Sequence, residues 1–202
     1  MINLFGELHP SYLSYFRGTP ENISFLDRLL VKVAKRLSFS DFNFVNGLLI
    51  QVANNHYDDE LLLFDKSLKG FYSSLTKCDC LLIESFFDDD DLSEKLSSRF
   101  IESSFFSRVV SLDEAGYQFE SNESREAKWF SKIKALSSYD LTVIVGASHL
   151  RSESVISESK LRTSLLGVVI NQYLMDYTLT PQLASDCERL NRIVSKFYNL
   201  YE

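Results

Sequence analysis

Two Gly-x-x-His tetrads stand near opposite ends of the chain, Gly6-Glu7-Leu8-His9 and Gly146-Ala147-Ser148-His149. Each follows a short apolar run that reads as a buried strand, residues 2–5 before the first and 141–145 before the second. The chain has 3 histidines, and two of them share this context. The third, His56, lies in an Asn- and Asp-rich break that suits a solvated turn. The pattern describes how a strand delivers imidazole to a site. The strand ends, glycine lets the backbone turn sharply, and histidine projects from the loop beyond.

Open α/β sheets gather functional residues at the carboxyl ends of their strands. By that rule four apolar runs end at Glu7 and His9, at Glu84 (after Leu81-Leu82-Ile83), at Asp113 (after Val109-Val110-Ser111-Leu112) and at His149. Two imidazoles with one to three carboxylates can hold a hard or borderline divalent cation, so His9, His149, Glu7 and Glu84 are candidate metal ligands. The same set can do acid–base work without a metal, each histidine oriented by a carboxylate. Glu84 sits between apolar neighbours, where an unpaired carboxylate is costly to bury. Arg125 falls in the first turn of an expected helix, where the dipole disfavours a cation and an anionic partner would offset this. Asp113 and Ser148 are secondary candidates. The run Asp88-Asp89-Asp90-Asp91 reads as a solvated loop.

The elements that must position these residues alternate. Beyond the strands already named, residues 21–37 show a clear helical period, and 39–53 suit a strand or, in preference, a buried helix. A helix is expected from about 59 to 77 with Asp59 as its cap, and others over 91–105, 122–136 and 154–165. Gly167 then suits a helix terminus, 168–170 begin a further strand, and Pro181 opens the last helix behind Thr180. Strands separated by helices imply an α/β fold, a central and largely parallel or mixed sheet flanked by helices, in a single compact domain over 1–202.

Composition narrows the class. A hydrophobic fraction of 45% and a charged fraction of 24% are those of a globular protein. The net charge of -7, without a Lys/Arg-rich run, argues against nucleic-acid binding. No apolar segment is long enough to span a bilayer and no leader is visible, so the expectation is a cytoplasmic protein without membrane contact. Three cysteines do not make a disulfide framework. Cys78-Asp79-Cys80 reads as two small strand residues pointing the same way.

Taken together, the two tetrads, Glu84 in Leu-Leu-Ile-Glu, and Val143-Ile144-Val145-Gly146-Ala147-Ser148-His149-Leu150 resemble the TraB/Tiki group. That group is related to erythromycin esterases and ChaN-type haem-uptake proteins. Arg125, upstream of the last tetrad, and the glycine-led run from Gly167 are similar to features of the group. The resemblance implies hydrolysis of an amide or ester in a small-molecule or peptide substrate, with divalent-metal assistance. Glu84 would be general base or ligand, His9 and His149 ligands or water activators, Glu7 a ligand or imidazole orienter, and Arg125 the group that neutralises an oxyanion. It equally allows a binding or sequestering module on the same scaffold. The aromatic tail Phe197-Tyr198-Asn199-Leu200-Tyr201 suggests a homodimer through the terminal helix.

Overall fold

The computed structural model describes residues 1–8, 13–36, 38–75, 77–84, 96, 101–113 and 120–198. Its five strands are β1 (Ile2–Glu7), β2 (Cys78–Ile83), β3 (Phe106–Ser111), β4 (Leu141–Gly146) and β5 (Ile170–Leu174). All pair in parallel, in the order β3-β2-β4-β1-β5. The described helices are α1 (Pro20–Arg36), α2 (Phe39–Ala53), α3 (Asp58–Tyr72), α4 (Asn122–Ala135), α5 (Glu158–Ser164) and α6 (Pro181–Tyr198). The expected α/β architecture, a parallel sheet with helices between its strands, is the one observed. Central β1 and β4 are buried along their whole length, which is why they read as near-continuous apolar runs. None of the described helices is long and apolar enough to cross a membrane.

The chain groups into two compact units. One comprises Met1–Leu8 and Ser67–Asp176 and contains the whole sheet with α4 and α5. On one face of this sheet Ile2, Leu4, Cys80, Leu82, Val143 and Val145 pack with Trp129 and Ile133 of α4. On the other, Phe5 stacks on Tyr173 and meets Phe71 and Tyr72 of α3. The second unit comprises the described residues of His9–Lys66 and Tyr177–Glu202, with α1, α2, the start of α3 and α6. Its buried side chains Leu26, Leu29 and Val33 follow the helical period read in the sequence.

Helix boundaries differ from expectation where serines compete for backbone. α3 stops at Tyr72, where the Ser73 and Ser74 hydroxyls donate to the carbonyls of Gly70 and Phe71. α5 begins only at Glu158, because Ser154 Oγ accepts the Ile156 N–H in a preceding turn. The helix expected over 91–105 lies largely outside the described residues, as does the acidic run 88–91; Ser103–Phe105 form a single 3-10 turn. Thr180 caps α6 through the Leu183 N–H, and Gly167 adopts φ +83° after α5.

The N–H groups of Asp79 and Cys80 both bond the Asp140 carbonyl, a bulge in β2 that breaks simple alternation. Cys80 packs in the core beside Leu82, whereas the Cys78 thiol reaches Thr142 Oγ1 at 3.3 Å. The expected common direction of the two thiols is lost at that bulge. Burial pushes both above the usual thiol pKa.

Candidate functional site

The order of the strands decides where a site can form. From β2 the chain proceeds to the edge strand β3; from β4 it crosses β1 to reach β5 on the other side. The carboxyl ends of β2 and β4 are therefore adjacent strands whose connections diverge, the arrangement that opens a crevice in such sheets. Glu84 follows β2 directly, and its N–H bonds the Ile144 carbonyl at 2.9 Å. His149 lies on the 3-10 turn Ala147–Leu150 that follows β4. Ser121 caps α4 by accepting the Ser124 N–H, and the first turns of that helix present Arg125, Glu126 and Trp129.

These side chains form one buried network. Arg125 donates from Nη2 to Glu84 Oε1 at 2.8 Å and to Asp113 Oδ2 at 3.0 Å, and from Nε to Asp113 Oδ1 at 3.1 Å. The other Glu84 oxygen accepts the Gly146 N–H at 2.7 Å. Trp129 Nε1 donates to Asp113 Oδ1 at 3.0 Å, and the Arg125 guanidinium lies over the Trp129 ring. His149 Nδ1 is 2.8 Å from Glu126 Oε1, and its Nε2 faces Glu84 Oε1 at 3.4 Å. Glu126 Oε2 accepts the Val155 N–H. Glu84, Asp113, His149 and Glu126 are 4%, 5%, 7% and 8% exposed. Charges so deeply placed are tolerable only when paired.

The anion that Arg125 needs at the amino end of α4 is thus supplied twice, by Glu84 and by Asp113. Burial draws the Arg125 pKa down, but hydrogen bonds and charge from Asp113 and Glu84 more than offset this, so the guanidinium stays charged. Burial likewise draws the His149 pKa down. The hydrogen bonds and charges of Glu84 and Glu126 outweigh it and leave the ring above its ordinary value.

The other candidates are placed differently. Glu7 is buried, but alternation along β1 puts it on the Phe5 face, opposite the face that holds Trp129, and Tyr72 donates a short hydrogen bond to its Oε2. The structure does not bring it to His149, whose orienting carboxylate is Glu126. β1 continues through Gly6 to Glu7 instead of turning at the glycine. Gly6 is required for close approach: a Cβ there would sit 2.7 Å from Leu174 Cδ2 and 3.1 Å from Ala147 Cα. Ser148 is exposed, unlike the buried His149 beside it. His9 lies outside the described residues.

Among the described residues, no group of three or more His, Cys, Asp or Glu is placed to hold a metal ion. The chemistry of the donors explains this. Both Glu84 oxygens and both Asp113 oxygens already accept protein donors, and Arg125 supplies the positive charge that an ion would bring. The described donors do not fit a divalent ion.

Glu126 and Trp129 did not emerge from the strand-end rule. A signal was present nonetheless. Glu126, Trp129 and Ile133 occupy one helical stripe and are the buried residues of α4. An acid in line with a tryptophan and an isoleucine needs a buried partner, and His149 is that partner.

Comparison of the chain with protein-family models, curated proteins and solved structures gives no match. The site stands on its geometry alone.

Proposed function

We propose that the chain hydrolyses an ester or amide, in the manner of the TraB/Tiki and erythromycin-esterase group that its motifs resemble, with Glu84 and His149 as an acid–base pair. The observation that supports this is the facing of Glu84 Oε1 and His149 Nε2 across 3.4 Å, each held from behind. Arg125 and the Gly146 N–H hold Glu84, and Glu126 holds the far nitrogen of the ring. A gap of that length is slack for a hydrogen bond, and acid–base pairs commonly tighten only around substrate.

Protonation assigns the roles. The raised His149 pKa favours imidazolium opposite the carboxylate that pairs with Arg125. Glu84 then takes a proton from water as the water oxygen attacks the substrate carbonyl carbon. The tetrahedral intermediate collapses as His149 Nε2–H protonates the departing oxygen or nitrogen, and the proton on Glu84 restores the imidazolium. Arg125, engaged by two carboxylates, holds Glu84 in place in this scheme and is not assigned to the oxyanion. No step passes through a metal.

A second reading has its own support. Because both Glu84 oxygens already accept protein donors, the same residues would suit holding a small molecule or peptide without turnover. Steady-state assays of p-nitrophenyl esters and short peptides, with Glu84→Gln and His149→Gln, separate the two. The hydrolase reading expects each variant to lose roughly 10²–10⁴-fold in kcat. Full activity in either folded variant overturns it; a ligand retained at one per chain with no turnover favours the binding reading.

A further inference from the structure

At the opposite, amino-terminal edge of the same sheet lies a cleft of about 400 Å³, within the size range of small-molecule sites. It is lined by Asp79, Cys80, Ser107, Arg108, Leu136 and Tyr139. Asp79 and Cys80 begin β2, Ser107 and Arg108 begin β3, and Leu136 and Tyr139 belong to the segment joining α4 to β4. Cys80 and Arg108 are register partners, so their side chains leave the sheet on the same face, the one packed by α4.

The walls have two electrical poles. The positive one is Arg108, which is exposed and makes no ion pair or side-chain hydrogen bond with a described residue. The negative one is the exposed Asp79 carboxylate, of which one oxygen accepts the Asp140 N–H and the other accepts no hydrogen bond from a described residue. The carboxyl end of α4, at Leu136, adds the negative end of the helix dipole to that side. Asp79 and Arg108 share the cleft without forming an ion pair with each other. Between the poles the lining is apolar: Cys80, Leu136 and the Tyr139 ring. A simple anion would meet Asp79 and the helix terminus, and a simple cation would meet Arg108. A molecule with both charges on one carbon and an apolar side group satisfies all three parts of the wall.

We propose that this cleft binds a free α-amino acid with an apolar side chain, its carboxylate on Arg108 and its ammonium on Asp79. The site is separate from the Glu84–His149 pair and stands whether or not that pair is catalytic. Calorimetric titration of the full chain tests it, with L-leucine and L-phenylalanine as probes. N-acetyl-L-phenylalanine, which lacks the ammonium, and L-phenylalanine amide, which lacks the carboxylate, are the controls. Saturable 1:1 binding of a free amino acid, about tenfold tighter than both controls, is expected. Arg108→Gln should reduce L-phenylalanine to the level of its amide, and Asp79→Asn to the level of its N-acetyl form. Asparagine still accepts the Asp140 N–H, and Arg108 is exposed, so both variants should melt as the parent does. Absence of saturable binding by either amino acid overturns the proposal. So does a control that binds as tightly as the free amino acid, or an Arg108→Gln chain that binds unchanged.

Discussion

The two faces of the sheet bury carboxylates at the same edge by different means. On the α4 face, Glu84, Asp113 and Glu126 are held by two cationic side chains, Arg125 and the raised-pKa His149. On the α3 face, Glu7 takes a neutral phenol, Tyr72, inside an aromatic wall of Phe5, Phe71 and Tyr173. The first arrangement is a network in which each charge offsets its neighbours, so removal of one member takes a countercharge from others. In the second, the phenol brings no countercharge, and losing it costs Glu7 one donor. The proposed acid–base pair lies on the first face, where His149 and Glu84 face each other.

That contrast can be broken in order of expected effect. The largest belongs to Arg125→Ala, which leaves Glu84 and Asp113 buried without their shared cation. A loss of about 3–5 kcal/mol in urea unfolding is expected. Lysine at this position should recover only part of it, since an ammonium cannot reproduce the two-pronged contact with Asp113. Tyr72→Phe should cost less, about 1–3 kcal/mol, for one donor withdrawn from a buried acceptor. Were the Tyr72 variant as unstable as the Arg125 variant, the distinction between a charge network and a neutral donor would fail.

The smallest effect is a slope with pH. His149 has a folded pKa above its ordinary value near 6.5, so between those two values the folded chain binds more protons than the unfolded chain. Its contribution to stability is fully present below pH 6.5 and is lost as pH rises through the folded pKa. Urea midpoints measured from acid to mildly alkaline pH should fall across that window in the parent, and less steeply in His149→Gln. Parallel curves for the two proteins would show that the ring is not held as imidazolium.

Short-range features of both faces are legible in the sequence. The strands were visible as apolar runs because both faces of a central parallel strand are buried, as in β1 and β4. The helical period of α1 and the caps of α4 and α6 were visible because they depend on residues within a turn or two. Arg125 was conspicuous for a local reason, a cation at a helix amino end. The stripe of Glu126, Trp129 and Ile133 is equally local, but it lies on a helix and so falls outside the rule that strand ends carry the site.

Most elements, and the polar residues at strand termini, follow from periodicity, capping and alternation, which are short-range properties of the chain. Only the tertiary structure decided which of those residues meet. The order β3-β2-β4-β1-β5 sets Glu84 beside Gly146 and His149, a neighbourhood made from segments some sixty residues apart. Packing of α4 on one face of the sheet then selected Glu126, rather than Glu7, to hold the His149 ring. Alternation along β1 sent Glu7 to the other side, where Tyr72 was the donor within reach. Long-range pairing and the choice of sheet face arise from the whole core being buried at once, and no window of sequence contains that information.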